Sequence, residues 1–92
     1  MFRLWAKIWK SGRMTRDMVI CNDDRGPNRT KKIFAALEEV CKEFDLSRPI
    51  WLDNSIAEFQ RHDKVRFSKD NFIDEIDFDY LEIQVIEEDD HE

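Results

Sequence analysis

The sequence is poor in the residues that punctuate or staple a chain: two glycines, two prolines and two cysteines in 92 residues. Two glycines leave no Gly-rich loop to cradle a phosphate, and neither G-x-S-x-G nor H-E-x-x-H occurs. Cys21 and Cys41 stand 20 residues apart. That is neither a metal-ligand nor a redox spacing, and one pair is thin for a secreted scaffold. They read as reduced thiols against the core, and a disulfide needs the hairpin end and the helix to meet. No apolar run approaches the ~20 residues of a membrane span. Lys7 and Lys10 interrupt the N-terminal apolar segment, so a signal peptide is not expected and the chain reads as cytoplasmic.

Two further absences are local. Residues 1–16 contain no Asp or Glu, and residues 70–92 contain no Lys or Arg. Arg3, Lys7, Lys10, Arg13 and Arg16 make one end basic, while the other runs from Asp70 through Asp74, Glu75, Asp77, Asp79 and Glu82 to Glu87-Glu88-Asp89-Asp90. Both ends also read as strands. Opposite charge favours laying them side by side and disfavours pairing either with its own copy. The net charge of -6 argues against bulk binding to nucleic acid or an anionic membrane.

What is present is enough for one small domain: 41% hydrophobic residues for a modest core and 39% charged residues for a wet surface. Residues 2–9 alternate, with Phe2, Leu4, Ala6 and Ile8 against Arg3, Trp5, Lys7 and Trp9. A second alternating segment covers 13–21. A two-residue loop at Ser11-Gly12 would set Lys7 opposite Arg16 and mix both faces. A three-residue loop, Lys10-Ser11-Gly12 with Gly12 left-handed in a bulge, keeps parity and is the expected turn. It places Met14, Met18 and Ile20 on the apolar face, with Arg16 at its edge. Asn28 or Thr30 caps a helix over 30–45 whose stripe is Ile33, Leu37, Val40, Cys41 and Phe44. Ser47 to Pro49 stops it. Asp53 or Ser55 caps a second helix at about 54–62, carrying Ile56 and Phe59. Val65 and Phe67 suggest a short strand, and 68–73 a single helical turn. Residues 77–87 form the last strand, with Leu81, Ile83 and Val85 inward and Tyr80, Glu82, Gln84 and Ile86 outward. Trp51 is expected to anchor the irregular stretch on the sheet. The expected division is one α+β domain over 1–86 and an acidic, disordered tail over 87–92.

Hairpin, long helix, irregular stretch and final strand: this layout resembles the β-grasp architecture of ubiquitin. The resemblance implies a last strand lying parallel to the first. It covers most of the chain in layout and none of it in motif, and the helix at 54–62 is a departure. Ubiquitin-like modifiers and sulfur carriers act through a Gly-Gly tail, whereas this chain closes on Asp89-Asp90-His91-Glu92, so neither activity carries over. Two cysteines exclude the four-thiolate cluster of β-grasp ferredoxins.

The best candidate site is the outer face of the hairpin, where Arg3, Trp5, Lys7, Trp9 and Arg13 are expected together, joined by Tyr80, Gln84 and Ile86 if the last strand is a neighbour. Aromatics with Arg are the make-up of a protein-binding hot spot. Basic groups beside flat rings also suit single-stranded nucleic acid, although Asp17 and Glu82 share the face and would repel phosphates. Residues 1–10 fit an amphipathic membrane-surface helix as well, but the Ser11-Gly12 turn favours the strand. Asp77 and Asp79, with Asp74, Glu75 and His62 as conceivable neighbours, are a carboxylate pair with a metal-site flavour, and nothing fixes a third ligand; the tail Glu87-Glu88-Asp89-Asp90-His91-Glu92 could chelate loosely but reads as a solvated acidic tail. The acidic end could instead mimic nucleic acid, but its charges are scattered. The sequence therefore points to a non-catalytic binding or adaptor module without cofactor or metal. Its expected partner is a protein or a second copy, met on Arg3, Trp5, Lys7, Trp9, Arg13 and Tyr80. Single-stranded nucleic acid on the same face is the runner-up, and a metal-dependent enzyme the third reading.

Overall fold

The structure, a computed structural model, describes residues 1–88. Its elements in chain order are β1 (Phe2–Lys10), β2 (Arg13–Asn22), α1 (Arg29–Glu43), α2 (Asp53–His62), β3 (Lys64–Phe67) and β4 (Tyr80–Glu87), with one 3-10 turn at Lys69–Asn71. The strands form one sheet in the order β2-β1-β4-β3, and every neighbouring pair is antiparallel.

This corrects the orientation implied by the β-grasp layout. The acidic strand does lie beside the basic one, but it runs antiparallel to it, with Arg3 opposite Glu87 and Trp9 opposite Tyr80. The physical reason is the second helix. Arg29, at the start of α1, meets Asp63 and Glu88 at one end of the sheet, and Phe44, just past its end, lies under Arg16 towards the hairpin turn. α2 returns the chain: Ser55 is bonded to Asn71, and Asp63 delivers β3 to the end where α1 began. One helix would bring the chain into β3 from the opposite end. Two helices reverse that direction and every strand after it.

Both helices lie on one face of the sheet, over Phe2, Leu4, Ala6, Ile8, Ile20, Val65, Phe67, Leu81 and Ile83, all buried. The α1 stripe of Ile33, Leu37, Val40, Cys41 and Phe44 is buried against them as its period demands. Asn28 caps α1, its side chain accepting from the Lys31 amide. The helix stops before Ser47: Asp45 takes a left-handed φ of 59°, and the Leu46 amide bonds back to the Cys41 carbonyl at 2.8 Å. α2 has no side-chain cap. Leu52 precedes it, and the Ser55 hydroxyl is spent on the Asn71 amide at 3.0 Å. Its buried residues are Ser55 and Phe59, whereas Ile56 faces outward and is 41% exposed.

The hairpin turn is shorter than expected. Lys10 pairs with Arg13, so the loop is Ser11-Gly12, both at positive φ (54° and 77°), as a type I′ connection requires. The parity conflict of a two-residue loop is resolved one step away. Ile8 pairs with Arg16 but Trp9 with Met14, leaving Thr15 as a bulge. Past the bulge the pairs of Leu4 with Ile20 and Ala6 with Met18 keep the apolar faces together. Before it, Met14 is turned to the Trp9 face and is 42% exposed. Arg13, opposite Lys10, moves off the outer face where it was expected.

Residues 2–10 are strand throughout, which removes the membrane-surface helix reading. No helix of the described residues is long and apolar enough to cross a membrane. Glu87 closes β4, Glu88 accepts from Arg29 at 2.8 Å, and the rest of the expected tail, 89–92, lies outside the described residues.

Candidate functional site: the outer face of the sheet

Among the described residues no second layer covers the face away from the helices. Alternation and register bring Arg3, Trp5, Lys7 and Trp9 of β1 to it, with Cys21, Val19, Asp17 and Met14 on one side. Tyr80, Glu82 and Gln84 of β4 lie on the other side, and Lys64 and Arg66 of β3 complete it. Of the residues expected there, Arg3, Trp5, Lys7, Trp9 and Tyr80 share this face, and Arg13 does not.

Glu82 organises the centre. Although it belongs to the uncovered face, it is only 3% exposed, and Lys7 beside it only 8%. One carboxylate oxygen of Glu82 accepts from the Trp9 indole N–H at 2.9 Å and lies 3.6 Å from Lys7 Nζ. The other lies 3.6 Å from Arg66 Nε. Lys7 Nζ also donates to Gln84 Oε1 at 3.0 Å and sits 4.0 Å above the Trp5 ring. The Trp5 indole in turn donates to Asp17 at 2.9 Å. Arg66 lies 4.6 Å over Tyr80, whose ring is 6.2 Å from that of Trp9. Arg3 is paired with Glu87 at 3.0 Å. A carboxylate stripped of water is costly unless fully paired, and here three donors from two neighbouring strands supply the pairing.

The chemical consequence is twofold. Arg3, Lys7 and Arg66 are each paired with a carboxylate of β4, so little free positive field is left at the centre of the face for a phosphate backbone. Trp5, Trp9 and Tyr80 are half-buried, and both indole N–H groups are already committed, leaving ring surface exposed in fixed orientations. Arg66 was not singled out by sequence; the alternation of Val65 and Phe67 inward against Lys64 and Arg66 outward is the signal that finds it.

The other candidates take structural positions. Asp79 accepts from the Ser11 amide at 2.8 Å and donates its own amide to the Trp9 carbonyl, tying the β4 start to the hairpin turn. Asp77 lines a cavity of about 300 Å³ beside Lys10, Arg16 and Phe78. Among the described residues no three His, Cys, Asp or Glu side chains converge as metal ligands. His62 is exposed in the last turn of α2. Cys41 is buried in the core, and desolvation, partly offset by Arg48, pushes its thiol up to about 11. Cys21 is exposed on the outer face instead of against the core, and both thiols are free.

Trp51 is half-buried and meets Phe34, Phe59 and Phe67 edge to face. Sequence reading missed what surrounds it. Phe34, 51% exposed, lies off the buried stripe of α1 and with Trp51, Ile56 and Phe59 lines a groove of about 320 Å³ between the helices. An apolar residue adjacent to a complete helical stripe was the available signal.

Comparison with protein-family models, with curated proteins and with solved structures gave no match to this chain.

Proposed function

We propose that this protein is a small non-catalytic binding module that docks a protein partner on the outer face of its sheet, through Trp5, Trp9 and Tyr80. The observation that carries the reading is the half-exposed aromatic cluster whose two indole N–H groups are already satisfied within the monomer. Rings fixed in advance lose little conformational entropy on docking. Tryptophan, tyrosine and arginine side by side are also the composition of interface hot spots. The same network counts against single-stranded nucleic acid. Lys7 and Arg66 serve Glu82, and Arg3 serves Glu87, so a phosphate chain would have to displace carboxylates already in place.

The test is an indole and amide NMR spectrum of labelled protein, first with mixed short single-stranded RNA at low salt. The Trp5 and Trp9 indole signals are expected to stay unmoved. Affinity capture from a lysate of the source cells with the unaltered chain, Trp5→Ala and Phe34→Ala follows. A partner retained by Phe34→Ala and lost by Trp5→Ala supports the reading. RNA-dependent indole shifts that fade steeply with added salt would replace it with the nucleic-acid one.

A further inference from the structure

The two edges of the sheet are unequal. β3 is four residues long, carries Lys64 and Arg66, and is entered through a left-handed Asp63. β2 runs ten residues, and the seven beyond the Thr15 bulge, Arg16 to Asn22, pair with β1 without interruption. From Met18 to Cys21 this edge has no charge, no proline and no bulge. Those are the devices that keep an exposed edge from pairing. Alternate N–H and C=O groups along it point away from β1, as on any edge strand, and Val19 is 43% exposed.

We propose that the Arg16–Asn22 edge pairs antiparallel with the same segment of a second copy, about a two-fold axis at Val19. This edge is separate from the aromatic cluster of the outer face. A two-fold axis relating antiparallel edges stands perpendicular to the sheet, so opposed residues share a face and the register must centre on a residue. Centring on Arg16 or Asp17 opposes like charges. Centring on Met18 opposes Asp17 to Val19 and Arg16 to Ile20, pressing charge against apolar side chains. Centring on Val19 opposes Val19 to itself and Met18 to Ile20, with Asp17 facing Cys21 and Arg16 facing Asn22 at the ends. Because only one edge of each copy is unguarded, pairing consumes it and the assembly closes at two chains. Both outer faces then lie on the same side of one continuous eight-stranded sheet.

The full chain is examined by sedimentation equilibrium from micromolar to millimolar concentration, with amide exchange followed over the same range. The expected result is a mass rising from one chain to two while amides within 16–22 slow. Val19→Lys, at an exposed site, is expected to stay monomeric with its amide spectrum unchanged outside β2 and its neighbours, and Trp9→Ala to dimerise as before. A chain that remains monomeric throughout overturns the proposal, as does a dimer that survives Val19→Lys. A dimer broken by Trp9→Ala, without slowed exchange at 16–22, also overturns it and assigns self-association to the outer sheet face.

Discussion

Along β1, Leu4, Ala6 and Ile8 point into the helices while Trp5, Lys7 and Trp9 point the other way, and the two sets are held by different forces. The inner set is held by removal of apolar surface from water, which is non-directional and tolerant of detail. The outer set is held by hydrogen bonds and ion pairs between strands, converging on one shielded carboxylate. The inner face can be repacked gradually. The outer face depends on all its partners at once, because a buried charge that loses one of them keeps its desolvation cost.

Phe67 is fully buried and stacks edge to face on Trp51 at 5.0 Å. Phe67→Ala is expected to destabilise the fold by about 4 kcal/mol in urea unfolding, the cost of a large cavity. Glu82→Ala on the opposite face should cost about 3 kcal/mol, because Lys7, Trp9 and Arg66 lose their common acceptor. The double variant Lys7→Met with Glu82→Leu should recover most of that loss. If Glu82→Ala proves neutral, the two faces are not held differently.

The Cys41 thiol has its pKa raised from 9.0 to about 11 by burial. The folded chain therefore holds that proton after the unfolded chain has released it. Stability from this group is intact below pH 9 and falls as pH rises from 9 to 11, by about 2 kcal/mol at the upper end. Cys41→Ala should remove that slope, whereas Cys21→Ser, on the outer face, should leave it. The smallest effect belongs to the rim. Arg3 and Glu87 are both nearly half exposed, so Arg3→Glu should cost no more than about 1 kcal/mol and less in added salt.

The inner face was legible because it obeys a period: Ile33, Leu37, Val40, Cys41 and Phe44 of the helical stripe and Phe2, Leu4, Ala6 and Ile8 of β1 were named from spacing alone, while Lys32 and Ala36, also buried on α1, were not. The neighbourhood of β1 and β4 was legible from sorted charge. Their relative direction was not, since Arg3 and Lys7 find carboxylates on β4 in either orientation, and only the reversal made by α2 decides it. Thr15 shows how little it takes to defeat parity. One bulged residue sends Met14 to the outer face and Arg13 off it. Glu82 was placed outward by alternation, yet its burial depends on Trp9, Lys7 and Arg66 from two other strands, which no local pattern reports. Phe34 was passed over because the stripe beside it was already complete.

The docking role is tested most directly by a photo-crosslinker placed on each side of the molecule in turn, at Met14 on the outer sheet face and at Phe34 on the helical face. Both positions are exposed, so the fold should tolerate the label. Irradiation in a lysate of the source cells should give a discrete heavier adduct with another protein from Met14→p-benzoylphenylalanine, abolished when Trp5→Ala is added. An adduct formed only from Phe34→p-benzoylphenylalanine would place the partner on the helices and contradict the account.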